Sequence, residues 1–186
     1  MIDLSNLFDS FFEFYSDYFI KGFFISILLV WLLKLIIKKS DSITFATKLI
    51  KWLLISFSIF FITKIIIDYL AGKDDVFRFL NRATGPYWYS YLFVLLGAIF
   101  LPLTLFFKKL QNKLGYLFLI GILINIGWLF ESFVIHVTSI HQDFNTSKTD
   151  AYFPYNRDWV VINNGLTVGA FILIISTIKS FIFRKK

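Results

Sequence analysis

The sequence predicts an all-α integral membrane protein with five transmembrane helices. Hydrophobic residues make up 58% of the 186 residues, and charged residues only 17%. Five apolar stretches approach or exceed the roughly 20 residues that a helix needs to cross a bilayer. Lys and Arg residues concentrate in alternate loops, as in multi-pass proteins. Together these features exclude a disordered tail, a soluble globular enzyme and a nucleic-acid-binding module.

Residues 1–18 are predicted to form an acidic amphipathic segment outside the membrane. Asp9, Glu13 and Asp17 recur at every fourth position, which places them on one stripe of a helix. Aromatic residues including Phe12 and Tyr15 lie beside that stripe. The pattern is typical of an interfacial or extended amphipathic helix.

The first apolar stretch, residues 19–37, is predicted to be a membrane span rather than a cleaved signal peptide. Its apolar core is too long for a signal peptide, and its N-terminal flank is acidic instead of basic. The other four predicted spans are residues 49–70, 87–107, 114–139 and 159–183. Pro102 is expected to kink the third of them.

The distribution of charge predicts the orientation. One set of alternate segments carries twelve Lys and Arg residues and a single acid, Asp41. The other set carries six Lys and Arg residues and nine acids. Since cytoplasmic loops are enriched in positive charge, we expect a bacterial inner-membrane protein with a periplasmic N-terminus and a cytoplasmic C-terminus.

Glycine spacing indicates close helix packing. Gly165 and Gly169 have the GxxxG spacing that lets two helix backbones approach each other. The fourth span adds Gly115, Gly121 and Gly127. This pattern predicts a bundle but no particular chemistry.

Ionisable residues inside the predicted spans are the candidate functional residues. Lys64 and Asp68 lie one turn apart on the second span, and Glu131 and His136 lie on the fourth. Such groups usually face the protein interior and often mark ion or proton pathways. One interpretation is therefore a proton path through Glu131, Asp68 and His136, or contact with a quinone head group. The alternative is a structural ion pair of Lys64 with Asp68 or with Glu131, with His136 at the membrane interface.

Several chemistries are excluded for this chain on its own. It has no cysteine, and so it offers no disulfide and no thiolate-ligated cluster. Its two histidines, His136 and His141, lie five residues apart on one segment and cannot ligate a haem from opposite sides. No zinc-ligand cluster is present in the sequence, so no metal site is expected. Electron transfer would require partner subunits or a bound quinone.

A longer pattern of residues resembles a known family. Its parts are FLNRATGPYW, which contains Arg82; NIGWLFESFVI, which contains Glu131; VTSIHQDF, which contains His141 and Asp143; and the YFP motif of residues 152–154. Together they resemble the NrfD/PsrC-like membrane subunits, in particular the quinol-oxidising membrane subunits of bacterial alternative complex III. The resemblance covers about residues 60–183.

The resemblance implies an NrfD-like four-helix bundle over residues 49–183, with the first span as an extra helix in front of it. Family members are longer and hold two such bundles. This chain corresponds to the second, which is proposed to carry a proton path. The quinol site lies mainly in the first, beside the iron–sulfur subunit. The family usually has Arg directly after the fourth-span Glu, where this sequence has Ser132.

Three functions follow as hypotheses. The chain could be a subunit of a respiratory oxidoreductase complex that contributes to quinone-side architecture or proton translocation. Its partners would be cytochrome and iron–sulfur subunits, and its ligand quinone or lipid. It could instead be a non-catalytic scaffold or assembly protein, or, third, an autonomous proton channel. The outer loop of residues 141–158 is compatible with partner binding or with a plain connection. No nucleic-acid partner is expected.

Overall fold

The computed structural model describes residues 2–36, 41–71, 88–126 and 155–183, together with Thr84 and Leu129. This described part is almost entirely helical and contains no strand, which agrees with the predicted all-α class. Three helical segments in it are long and apolar enough to cross a membrane: Asn6–Ile36, Asp41–Ala71 and Trp159–Ile182.

The first membrane-length segment is not a single regular helix. It consists of α1 (Ile2–Tyr15), a π-helical turn (Ser16–Ile20) and α2 (Phe23–Ile36). The next helix, α3 (Asp41–Ala71), has 31 residues. At a rise of 1.5 Å per residue it is about 46 Å long, which exceeds a hydrocarbon core of about 30 Å.

The remaining described helices are α4 (Trp88–Leu103), α5 (Leu114–Ile126) and α6 (Tyr155–Phe183). Pro102 lies in the last turn of α4, and a 3-10 turn (Thr104–Phe106) follows. Pro102 therefore marks the end of this helix, whereas the sequence predicted a kink within it. The hydroxyl of Thr104 secures this end by contacting the Leu101 carbonyl at 2.5 Å and the Tyr116 hydroxyl at 2.6 Å.

Contacts between the helices show that they alternate in direction along the chain. Ile99 of α4 contacts Ser58, and Phe106 of the following 3-10 turn contacts Trp52, so α4 runs antiparallel to α3. In α5, Tyr116 lies near the end of α4, and Asn125 reaches back to the start of α2. The described helices therefore have an up-and-down order. The third and fourth predicted spans are described only as the shorter apolar helices Leu95–Phe106 and Leu114–Ile126, so five crossings stay a prediction.

The N-terminal helix α1 packs against the bundle. It forms the start of the first membrane-length segment and packs along α3. Its Phe12 and Tyr15 side chains are each only 8% exposed. They pack among the aromatic side chains of α3, chiefly Phe57, Phe60 and Phe61. Burial of these rings explains why α1 packs along the surface of α3.

The first apolar helix, α2, contributes side chains to the core of the described bundle. Phe23, Ile27 and Val30 of α2 are at most 1% exposed. They belong to the main core cluster, together with side chains of α3, α5 and α6. The α2 helix therefore forms part of the bundle core. Gly165 and Gly169 let α6 approach it closely.

The third crossing can be tested directly, because the chain contains no cysteine. Single cysteines at the exposed positions Asn6 and Asn112 are expected to react on opposite sides of the membrane. Asn6→Cys should react with an impermeant maleimide in intact spheroplasts, and Asn112→Cys only after permeabilisation. Labelling of both from the same side would contradict the three predicted crossings between these positions.

Candidate functional site

A lysine between two carboxylates links α1 to α3. The Lys64 Nζ atom lies 2.7 Å from Asp9 Oδ1 and 2.8 Å from Asp68 Oδ2. Asp68 lies one turn further along the same helix, whereas Asp9 comes from α1. The three side chains are partly buried, with exposures of 26% for Lys64, 23% for Asp9 and 12% for Asp68. We call these residues the lysine–carboxylate cluster.

Aromatic side chains close the inner side of this cluster. The Phe12 ring centroid lies 6.0 Å from Lys64 Nζ, and this ring packs on Phe57 and Phe61. One turn further in, the Tyr15 hydroxyl lies 2.8 Å from Ser56 Oγ and 3.0 Å from the Leu53 carbonyl oxygen. Apolar rings exclude water, so charge–charge interactions in the cluster are stronger than at an open surface.

The break between α1 and α2 exposes backbone carbonyls that two asparagines bind. The π-helical turn ends where the Lys21 amide donates to the Ser16 carbonyl, and Gly22 then adopts a φ of +83°. Asn125 of α5 donates to the carbonyl of Ile20 at 3.1 Å. Asn164 of α6 donates to the carbonyl of Asp17 at 2.8 Å. Side chains from two other helices thus stabilise a break that a membrane interior would otherwise penalise.

Directly beyond the break, α2 and α6 are in backbone contact. A Cβ atom at Gly22 would collide with the Val161 carbonyl, and one at Gly165 would collide with the Gly22 carbonyl. One turn along, Gly169 packs on Ser26, whose hydroxyl donates to the Gly165 carbonyl at 2.6 Å. The GxxxG spacing of α6 therefore faces a second small-residue pair, Gly22 and Ser26, on α2. We call these four residues the glycine seam.

The polar groups buried in the described bundle do not form a continuous path. Four buried hydroxyl groups each donate to a backbone carbonyl: Ser26, Thr47, Ser58 and Ser176. Between the lysine–carboxylate cluster and the inner end of the bundle, the fully buried side chains are mainly Ile, Leu and Val. In this part of the chain the polar atoms stabilise helices and their contacts.

The structure brings together two of the predicted site residues, Lys64 and Asp68, and adds Asp9 to them. The other predicted residues lie outside the described ranges, so their roles stay predictions. They are Arg82, Glu131, His136, His141 and Asp143. Within the described ranges, no group of three or more His, Cys, Asp or Glu side chains could hold a metal ion.

Sequence reasoning did not assign a role to Asn164, Gly22 or Ser26. The spacing of Gly22 and Ser26 repeats that of Gly165 and Gly169, and this was the available signal for the contact between the two helices. No comparable signal marks Asn164, because its acceptor is a carbonyl that only the broken helix exposes.

In the described residues, the fold is all-helical, with three helical segments of membrane length. Small residues and the lysine–carboxylate cluster join these segments. Comparison with protein-family models, curated proteins and solved structures finds no match.

Proposed function

We propose that this chain is a scaffold subunit of a bacterial membrane respiratory complex of the alternative complex III type. In this role its bundle positions partner subunits and carries no reaction of its own. The scaffold role is supported by the pairing of charged and polar side chains within the described bundle. One lysine bridges both partly buried carboxylates, and the buried hydroxyls bond to carbonyls.

Membership of a respiratory complex rests on the sequence resemblance around residues 79–88 and 125–144. The outer face of α6 is compatible with a partner or with lipid. Phe171, Ile174 and Phe181 are each more than half exposed there. Such an apolar face suits a chain that is enclosed by other membrane subunits.

Co-purification tests this proposal. The protein carries a C-terminal tag, the membranes are solubilised in a mild detergent, and mass spectrometry identifies the retained proteins. We expect multihaem cytochrome and iron–sulfur subunits in stoichiometric amounts. Recovery of the chain alone, or only with proteins that lack redox centres, would contradict membership of a respiratory complex.

A second candidate function is proton translocation, with quinone chemistry nearby. The observation in its favour is Asp68, a carboxylate only 8% exposed as a residue and placed within a membrane-length helix. Ionisable groups at such positions are often functional. The resemblance adds Glu131 as a further acid of this path.

Glu131→Gln separates the two functions in the assembled complex. Under the scaffold proposal, the variant complex keeps normal turnover and normal proton translocation. Loss of a working acid/base group costs about 10²- to 10⁴-fold, so a proton role predicts a clear loss with normal recovery of the subunit. Glu13→Gln, at an exposed acid on α1, is the matched control.

A further inference from the structure

A cleft opens at the end of the molecule opposite the lysine–carboxylate cluster. It lies between the last turns of α2 and the start of α5 and has a volume of about 470 Å³. Its walls are formed by Trp31, Lys34, Leu35, Asn112, Lys113, Leu114 and Gly115. This volume lies within the range of about 300–1,000 Å³ that is typical of small-molecule sites.

The cleft combines positive charge with an apolar wall. Lys34 and Lys113 both line it and are exposed. No ion pair joins either lysine to a carboxylate of the described chain. Asn112 adds an amide group, while Trp31 and Leu35 form the apolar side. An anion with an apolar stem matches these walls.

The tryptophan is held in place by its neighbours. The ring of Trp31 meets the ring of Phe118 edge-on at 5.9 Å. A Cβ atom at Gly115 would lie 3.8 Å from Trp31 Cη2, so the indole covers the first turn of α5. Tryptophans at membrane interfaces sit at the level of the lipid headgroups. The cleft is therefore preformed, and the predicted topology places it at headgroup depth.

The position along the membrane normal favours lipid over a soluble ligand. The charge distribution assigns the Lys34 and Lys113 loops to the cytoplasmic side. There, basic pockets between transmembrane helices bind the headgroups of anionic lipids. Leu35 is 65% exposed beside the cleft and offers an apolar surface to an acyl chain.

We propose that this cleft binds the phosphate of an anionic glycerophospholipid of the inner leaflet. Lys34 and Lys113 bind the phosphate, Asn112 donates to the glycerol ester region, and Trp31 packs on the glycerol backbone. The site is independent of the proposed respiratory function.

Native mass spectrometry of the full-length protein tests this proposal. The protein is released from mixed micelles that contain phosphatidylglycerol and phosphatidylcholine in equal amounts. We expect retained phosphatidylglycerol on the unmodified protein. In the double variant Lys34→Gln/Lys113→Gln, its affinity should fall roughly 25-fold, or about fivefold for each lysine.

The matched control is the double variant Lys48→Gln/Lys109→Gln. It removes two exposed lysines from the same predicted side, outside the cleft. We expect it to retain the lipid, whereas equal loss in both double variants would show nonspecific attraction and overturn the proposal. Gly115→Leu, which fills the cleft without changing charge, should also reduce retention. Normal retention in that variant would place the lipid elsewhere.

A competition distinguishes lipid from a soluble anion. Millimolar inorganic phosphate or glycerol 3-phosphate should not displace phosphatidylglycerol, because neither reaches the apolar wall. Displacement by either would assign the cleft to a soluble phosphate ligand and overturn the lipid proposal.

Discussion

Gly22→Ala is expected to destabilise the helix bundle by about 3 kcal/mol, because the substitution has two separate costs. Gly22 has a φ of +83°, and a left-handed conformation costs an L-residue about 1–2 kcal/mol. The new methyl group would also collide with the Val161 carbonyl. Relief of overpacking by backbone movement typically costs about 1–3 kcal/mol. Unfolding of the purified protein in detergent, followed by circular dichroism, measures the loss.

Gly97→Ala is the matched control for this substitution. Gly97 lies within α4, and its added Cβ would meet only Leu101 Cδ1 at 3.7 Å, an ordinary contact. Alanine there should leave stability unchanged or raise it by up to about 1 kcal/mol. Gly165→Leu places a side chain in the glycine seam from the α6 side. It should destabilise the bundle at least as much as Gly22→Ala. Equal stability of the Gly22 and Gly97 variants would show that the seam does not form.

Lys64→Met is expected to have the second-largest effect, about 2 kcal/mol of destabilisation. Without the lysine, Asp9 and Asp68 would face each other across the site it occupied. Removal of one partner from a fully buried ion pair costs about 3–5 kcal/mol. We expect a smaller loss of stability here because the three side chains are only partly buried. Thermal unfolding at neutral pH measures the change.

Lys21→Met controls for loss of a lysine near the same end of the molecule. Lys21 pairs with Asp17 one turn away, and the Asp17 side chain is 53% exposed. Pairs of this kind contribute about 0–1 kcal/mol. Combining Lys64→Met with Asp9→Asn should recover part of the lost stability, since one of the two facing charges is removed. No recovery would contradict charge repulsion as the cause.

Local spacing predicted those parts of the fold that depend on nearby residues. Hydropathy predicted an all-helical chain, and the described residues contain three helical segments of membrane length. The i, i+4 spacing of Lys64 and Asp68 predicted their proximity. Asp9 was placed only on an acidic stripe, because its partner lies 55 positions away on another helix. Distances of that kind are not encoded in periodicity.

The broken first helix could not be predicted for a related reason. Residues 16–20 are Ser-Asp-Tyr-Phe-Ile, which contain no glycine or proline, and only Gly22 follows as a signal. The break depends on acceptors and donors that meet in three dimensions, with Asn125 and Asn164 arriving from separate helices. Roles for Glu131, His136 and the outer-loop residues rest on the sequence alone.

The glycine seam has a consequence for biosynthesis. The Ser26–Gly165 hydrogen bond joins positions 139 residues apart, so α2 leaves the ribosome well before α6, the helix that packs most closely against it. At about 5–20 residues per second, α2 waits roughly seven to twenty-eight seconds for α6 to be synthesised. During this interval the glycine face of α2 and the carbonyls near Asp17 lack their native contacts. A factor that shields such surfaces would therefore act on α2 during the interval before α6 is synthesised.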